Sequence, residues 1–117
     1  MDKISGDRLR GHLETMVLAA LAHGEAHGYE IMRRLEERGC GLLELKEGTL
    51  YPALYRLEEA GHIRGRWEGK PAGIRGPRRR TYCLTPRGRK QLIHQQNTWQ
   101  EFVRVVGQII GAESCTS

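Results

Sequence analysis

The stretch GTLYPALYRLEEAG (residues 48–61) carries two signals that conflict with each other. Leu50, Leu54 and Leu57 recur at the spacing that places apolar side chains on one face of a helix. Pro52 lies within the same span, although a proline in a helix interior costs about 3 kcal/mol. We therefore predict a helix that its leucines hold to a core, with an N-terminal part shaped by something other than helix propensity.

The leucines also orient the rest of this helix. When they face a core, the opposite side and its flanks are left for another partner. The residues on that surface are Gly48, Thr49, Tyr51, Pro52, Tyr55, Arg56 and Glu59. Tyr51 lies between the two faces, and the pattern leaves open whether it borders the core or contacts a partner.

Two more helices are predicted before this stretch. LRGHLETMVLAALAHG (residues 9–24) has an apolar middle that favours burial on two sides, and HGYEIMRRLEERG (residues 27–39) is amphipathic. Gly39 is expected in a left-handed conformation just after the second helix. Three short helices with tight connections are typical of a helix-turn-helix arrangement.

The hydrophobic period then changes from that of a helix to that of a strand. HIRGRWE (residues 62–68) and RRRTYCL (residues 78–84) flank a segment rich in glycine and proline, which predicts a hairpin. Tyr82 and Leu84 are expected to face inward, and Arg79 and Thr81 outward. The predicted fold class is mainly α within α+β, a winged helix-turn-helix with three helices and a two-stranded wing.

A last helix is predicted from Thr85, which can cap it, and Pro86, which suits its first position. Its apolar residues follow a heptad-like pattern, which indicates a symmetric dimer seam more than packing on its own domain. We expect a DNA-binding domain in residues 1–84, a dimerisation helix in residues 85–112 and a flexible tail in residues 113–117. The expected dimer residues are Leu13, Val17, Leu92, Gln96, Trp99, Val103, Val106 and Ile110.

Charge is distributed very unevenly along the chain. Residues 64–90 contain ten basic residues and one acid, so they carry nine net positive charges, whereas the whole chain carries only five. Such an asymmetry on a folded domain favours an anion-binding surface, most often for nucleic acid. The basic residues expected to contact the DNA backbone or minor groove are Lys70, Arg75, Arg78, Arg79 and Arg80.

Other function classes find little support in the sequence. No apolar run reaches the roughly 18 residues of a membrane span, and no secretory leader is evident, which favours the cytoplasm. The three cysteines and five histidines form no zinc-ligand spacing, so no metal or other cofactor is expected. No catalytic constellation can be placed on a common cleft, which argues against an enzyme and favours a binding module.

Four blocks of the sequence together resemble the PadR family of winged-helix transcriptional regulators. They are RGHLETMVLAAL (residues 10–21), HGYEI (27–31), GTLYPALYRLEEAGHI (48–63) and RRRTYCLTPRG (78–88), and the resemblance extends from about residue 9 to residue 106. The chain departs from the family at Lys46, where a Ser or Asn helix cap is common. Its single C-terminal helix is similar to that of the small subgroup of the family.

The resemblance implies a cytoplasmic homodimer, usually a repressor, that binds a near-palindromic operator in double-stranded DNA. It implies a dimer interface made by the first and last helices, with Tyr29 beside phosphate and with Thr49, Tyr51 and Pro52 facing DNA. Some small members admit flat hydrophobic effectors beside an aromatic residue comparable to Trp99, although a plain dimer-core role also explains a tryptophan there. A winged helix that binds protein or RNA remains the competing hypothesis.

Overall fold

The structure, a computed structural model, describes residues 11–68 and 79–111. Within these ranges, four helices and three short strands follow one another. In order they are α1 (Leu13–Leu21), β1 (Ala26–His27), α2 (Gly28–Arg38), α3 (Glu47–Glu59), β2 (Ile63–Trp67), β3 (Arg80–Leu84) and α4 (Pro86–Ile110). The predicted mainly helical winged helix-turn-helix is confirmed in its described part.

The core forms where α1, α2 and α3 meet above the small sheet. Leu18, Ile31, Leu50 and Leu54 are each no more than 1% exposed, so each of the three helices contributes fully buried side chains. Such residues supply most of the favourable free energy of folding through the removal of apolar surface from water. The predicted role of the α3 leucines as anchors is therefore confirmed.

The sheet contains one strand more than the sequence indicated. β2 and β3 pair antiparallel as the predicted wing hairpin, and the two-residue β1 pairs antiparallel with the other edge of β3. β3 is thus the central strand. The extra strand escaped prediction because two residues are too few to show a period.

Thr81, which was expected to face outward, is instead buried, with only 5% of its surface exposed. It lies opposite His27 of β1 in the register, and its hydroxyl donates a hydrogen bond of 2.6 Å to Glu68 Oε1. The added strand and the glutamate cover it together. A two-stranded wing would have left this position in solvent.

The C-terminal end of α2 differs from the prediction in the conformation of its glycines. Gly39 has an ordinary φ of −79°, so the expected left-handed conformation at this residue is wrong. The left-handed residues are Cys40 and Gly41, with φ of 55° and 74°. The N–H of Gly41 donates to the carbonyl of Glu36 at 3.1 Å, which closes α2 one or two residues later than expected.

The joint between the wing and α4 is fixed by the predicted cap. Thr85 Oγ1 accepts a hydrogen bond from the N–H of Gly88 at 3.0 Å and donates one to the carbonyl of Gly61 at 2.7 Å. A side chain at Gly88 would collide with the carbonyl of His62. The start of α4 is therefore held against the turn that follows α3, which sets the direction of the long helix.

α4 is 25 residues long, which corresponds to about 37 Å. It packs along α1, and Leu92 near its start joins the core. It ends at Gly111, whose φ of 77° is the left-handed conformation that glycine tolerates best. Within the described ranges, no helix is long and apolar enough to cross a membrane.

Candidate nucleic-acid interface

The N-terminal half of α3 presents backbone and small side chains to solvent. Lys46 precedes the helix and gives no side-chain cap, but its carbonyl accepts the N–H groups of Thr49 and Leu50 at 2.9 and 3.0 Å. Pro52 is the sixth residue of the helix, so the carbonyl of Gly48 receives no N–H from it. Gly48 and Pro52 are both exposed, as predicted, and Thr49 is half-buried.

Three tyrosines of α2 and α3 have exposed side chains. Tyr29 at the start of α2 is 69% exposed, and Tyr51 and Tyr55 on α3 are 47% and 66% exposed. Large aromatic side chains with hydroxyls at such exposure offer both apolar contact and hydrogen bonds to a partner. Tyr51, whose face the sequence left open, therefore belongs to the surface.

Gly28 explains where the Tyr51 ring lies. A Cβ added at Gly28 would stand only 2.6 Å from the Tyr51 hydroxyl oxygen. The missing side chain thus lets the tyrosine of α3 rest against the N-terminus of α2. This contact brings together HGYEI and GTLYPALY, two motifs that are about twenty residues apart in the chain.

The N-terminus of α2 carries the partial positive charge of its helix. His27 caps the helix, because its Nδ1 accepts the N–H of Glu30 at 3.2 Å, and its ring lies 6.4 Å from that of Tyr29. The positive end of a helix favours phosphate. Sequence reasoning missed the cap, since histidine is not among the residues that usually provide one. Arg33 donates a hydrogen bond to Glu30 that lowers the pKa of this carboxyl.

Arg56 has a partner within the chain. Its Nε lies 3.5 Å from Glu14 Oε1 of α1, and both side chains are largely exposed. An exposed pair of this kind is worth little in water and is screened by salt. Arg56 can therefore exchange this contact for one with an incoming ligand.

Two of the wing arginines expected to contact DNA, Arg79 and Arg80, are among the described residues, and their surroundings differ. Arg79 is exposed, whereas Arg80 forms an ion pair with Glu58 of α3 and only 26% of its side chain is exposed. The hydrogen bond to Glu58 raises the pKa of Arg80 further. The expected contact between Arg80 and the DNA backbone thus competes with an ion pair already formed. Lys70, Arg75 and Arg78 lie outside the described residues.

A groove of about 400 Å³ runs between α3 and β3. Tyr51 and Tyr55 line it from α3, and Tyr82 lines it from β3. Burial raises the pKa of the Tyr82 hydroxyl above its ordinary value. The lining residues are Tyr51, Tyr55, Glu58, Glu59, Arg80 and Tyr82.

The expected dimer residues fall into two groups. Leu13, Val17 and Leu92 are at most 6% exposed within a single chain, because they belong to the core. A partner could remove almost no further surface from them, so their assignment to a dimer seam does not fit the structure. The other expected residues keep some exposed surface, which is large at Trp99 and Ile110, at 49% and 69%.

Further apolar side chains of α4 are exposed beside the expected dimer residues. Phe102, Val105 and Ile109 are 57%, 40% and 78% exposed. The rings of Trp99 and Phe102 stack with centroids 5.8 Å apart, and His12 meets the edge of Trp99 at 5.2 Å. Glu101, whose pKa Arg104 lowers, borders this surface. We define Trp99, Phe102, Val105, Ile109 and Ile110 as the apolar face of α4.

Comparisons with known proteins agree with this architecture. The sequence profile of the transcriptional regulator PadR-like family matches residues 17–94. The chain is similar to the transcriptional regulator Rv3488 of Mycobacterium tuberculosis, with 30% identity over 108 residues that cover 92% of each chain.

Two solved structures are similar over nearly their whole length. A transcriptional regulator from Clostridium thermocellum superposes with a TM-score of 0.78 at 32% identity, covering 90% of this chain and 96% of the other. A PadR family transcription regulator from Clostridium difficile gives 0.74 at 30% identity, covering 86% and 99%. The chain therefore belongs to the PadR-like family of transcriptional regulators, and it is a regulatory protein rather than an enzyme.

Proposed function

We propose that this regulator binds its operator as a homodimer in the cytoplasm, as a repressor, and that a small hydrophobic effector releases it. The operator is a near-palindromic stretch of double-stranded DNA near its own gene or a neighbouring one. Residues 1–84 carry the DNA contacts and residues 85–112 the dimer contacts in this proposal, with residues 113–117 as a tail.

The observation that carries the DNA-binding part is the shared surface of α2 and α3. Tyr29, Tyr51 and Tyr55 are exposed together with the N-terminus of α2 and the open backbone at Gly48. In a helix-turn-helix, the N-terminal part of the second helix of the motif enters the major groove. Pro52 and the Thr49 methyl can then contact thymine methyl groups, while hydroxyls and Arg56 offer hydrogen bonds to base edges.

The wing supplies the electrostatic part of the affinity. Arg79 at its base is exposed, and the basic segment continues through Lys70, Arg75 and Arg78. Contacts between such residues and phosphates position a protein on the duplex without reading its sequence. The base preference is therefore assigned to α3 and most of the affinity for any DNA to the wing.

A salt titration with the duplex from upstream of the gene tests this proposal. A dimer that neutralises about 6 to 10 phosphates loses roughly three to five orders of magnitude in affinity between about 50 and 200 mM salt. We expect that steep slope together with tighter binding to the upstream duplex than to a shuffled duplex of the same composition.

Weak binding without sequence preference at every salt concentration would contradict the proposal. It would favour the competing role, in which the winged helix binds protein or RNA. Single-stranded RNA of the same sequence is the matched probe, because it carries phosphate charge without a B-form major groove.

The apolar face of α4 supports the dimer. Four of its side chains recur at spacings of three and four along the half of α4 that follows the core residue Leu92, and Ile110 adjoins the last of them. A contiguous apolar patch of this kind marks an interaction site, and in homo-oligomers the same patch serves both copies. Two copies related by a twofold axis also match a near-palindromic operator.

The effector is proposed to bind at the stacked pair Trp99 and Phe102. Their parallel rings, 22° apart in plane, provide a surface onto which a flat aromatic molecule can stack. Release then requires the effector to bind the DNA-free form more tightly than the DNA-bound form.

Fluorescence can isolate this site because the chain contains only two tryptophans, Trp67 and Trp99. In the Trp67→Phe variant, quenching by planar aromatic compounds reports on Trp99 alone. We expect quenching. We also expect the compound to lower the affinity for the operator by the same factor by which the operator lowers the affinity for the compound. Unchanged fluorescence at saturating compound, with operator binding unaffected, would remove the effector from the proposal.

A further inference from the structure

We propose that Arg80 is a positioning residue that fixes the wing against α3, and that it does not bind DNA phosphate. This inference rests on the proposed DNA-binding function. It reassigns one member of the basic segment, which charge alone had placed among the DNA contacts, and it extends the site to Glu58 and Gly65.

The Arg80 side chain is in contact with residues of both α3 and the hairpin. Its guanidinium pairs with Glu58 of α3, and its central carbon lies 5.2 Å from the ring centroid of Trp67 and 5.9 Å from that of Tyr82. Cationic groups over aromatic faces are attracted by the ring electrons. One side chain of β3 thus contacts both β2 and α3.

Gly65 provides the space that this arrangement needs. A Cβ at Gly65 would stand 2.5 Å from Arg80 Nε and 2.8 Å from Cζ. Gly65 pairs with Tyr82 in the register, and Trp67 pairs with Arg80, so these four residues share one face of the hairpin. We call Arg80, Glu58 and Gly65 the wing latch.

The latch leaves Arg80 little to offer a phosphate. Both members of the ion pair are about one quarter to one third exposed, at 26% and 32% of their side-chain surface. A phosphate contact would require Arg80 to leave Glu58, which would then stand unpaired beside the negative DNA. Arg79, the preceding residue, is exposed and serves as the comparison.

The consequence for binding is geometric. β2 and β3 lie largely within the basic segment, residues 64–90, and α3 is the proposed recognition helix. Their relative angle decides whether wing and helix reach the duplex at once. Once α3 is bound, a rigid connection holds the wing close to its own site on the duplex, and a looser connection lowers the effective concentration of the wing at that site. The loss falls most on the operator, where both contacts must be in register.

Two substitutions of adjacent arginines separate positioning from phosphate binding. Arg79→Gln leaves one phosphate without its cation, so the slope of log K against log salt should become shallower by about 1 per protomer. Arg80→Gln should leave that slope unchanged and reduce the ratio of operator to shuffled-duplex affinity by about three- to tenfold. Glu58→Gln should produce a similar loss of this ratio, and the double variant should lose no more than either single one.

Gly65→Ala tests the latch without changing any charge. The added methyl group must displace the guanidinium, whose far end is flexible, while the backbone of an ordinary strand accepts alanine. We expect the same reduced ratio as for Arg80→Gln, an unchanged salt slope and a cooperative thermal melt. If Gly65→Ala does not melt cooperatively, Arg80→Lys replaces it in this test, because lysine keeps the positive charge but lacks the planar guanidinium group.

The outcomes distinguish this inference from the proposed function. The latch is overturned if Arg80→Gln flattens the salt slope as Arg79→Gln does while Glu58→Gln and Gly65→Ala bind like the parent. The proposed function itself fails only if the parent protein shows neither a steep slope nor a preference for the operator. A parent that binds the operator, with variants that lose the ratio at constant slope, supports the latch.

Discussion

α3 and α4 both expose aromatic side chains, but the chemistry of those side chains differs. The exposed aromatics of α3 are Tyr51 and Tyr55, which carry hydroxyls and lie near the basic wing. Those of α4 are Trp99 and Phe102, which stack on each other among isoleucines and valine. The first surface combines hydrogen bonds with cations, and the second is apolar across its width.

The two helices also differ in how they meet the core. α3 buries Leu50, Ala53, Leu54 and Leu57 along its length, whereas α4 contributes only Leu92 to the same core. α3 is therefore a complete amphipathic helix whose free face is available to a hydrophilic partner. The distal half of α4 has an apolar face that is still unsatisfied in one chain, which is what a second copy would cover.

The largest expected effect comes from placing a charge on the apolar face of α4. Phe102→Asp should yield monomers, because an unpaired carboxylate cannot be buried in an apolar interface without a large penalty. Operator affinity should fall by at least about 100-fold, since the two half-sites are then no longer bound by one linked molecule. Sedimentation and duplex titration measure the two effects.

Ile93→Asp is the matched control for that substitution. Ile93 is exposed to a similar extent, 53% against 57% for Phe102, but its position nine residues earlier places it on the opposite side of the helix. This variant should remain a dimer. If both variants dissociate, or neither does, the apolar face has been assigned to the wrong side of α4.

The next effect separates base reading from charge within the DNA-binding surface. Tyr55→Ala should reduce operator affinity about tenfold or more and leave binding to shuffled duplex nearly unchanged, because it removes a contact to base edges. Arg79→Ala should weaken both duplexes by about the same factor. Equal behaviour of the two variants in paired titrations would refute the division between α3 and the wing.

Smaller effects are expected at Gly48, where a substitution should raise stability but lower operator affinity. Nothing lies within 4 Å of a Cβ added there, so Gly48→Ala should stabilise α3, by up to about 1 kcal/mol in the free energy of unfolding. The same methyl group stands where the backbone is proposed to approach DNA, so operator affinity should fall. Denaturant unfolding and duplex titration would contradict the placement of Gly48 if both quantities rose.

Gly28→Ala should lower both the free energy of unfolding and the affinity for the operator. Its Cβ would collide with the hydroxyl of Tyr51 and displace the ring from the N-terminus of α2. Overpacking of this kind typically costs about 1 to 3 kcal/mol, and the exposed ring can relieve part of it. A variant with parental stability and parental affinity would show that the Tyr51 contact is unimportant.

The smallest effect is on alkaline stability and involves Tyr82. Burial raises its pKa above the ordinary value of 10.0, so the folded state holds the phenol proton more tightly than the unfolded state does. The associated stability is complete below that ordinary value and is lost as pH rises through the folded pKa. Above about pH 10, Tyr82→Phe should therefore gain stability relative to the parent, compared with the difference between the two proteins near pH 8, in denaturant titrations.

Much of the fold could be predicted from period and punctuation. The leucines of α3, the hairpin strands and the Thr85 cap with Pro86 each showed a local pattern, and each local pattern agrees with the tertiary structure. β1 and Thr81 could not be predicted, because a two-residue strand exists only through its pairing with β3. The prediction of a left-handed Gly39 was wrong for a related reason, since α2 ends with a hydrogen bond from the N–H of Gly41, two residues further along the chain.

The candidate site was predictable in its composition but not in its internal contacts. The exposed face of α3 followed from the leucine spacing, and the basic segment followed from charge. The buried positions of Leu13 and Val17 did not follow, because an apolar helix gives the same pattern whether its own domain or a partner covers it.

The amino-acid order alone thus set which helix faces are apolar, where the wing lies and which segment carries the charge. These properties depend on neighbours three or four residues away, and short-range chemistry is sufficient to specify them. The three-dimensional arrangement settled the side on which Tyr51 lies, what a side chain at Gly28 or Gly65 would meet, and which of two adjacent arginines pairs with Glu58. Those depend on contacts between residues distant in the chain, whose energies exist only once the helices and the sheet have packed.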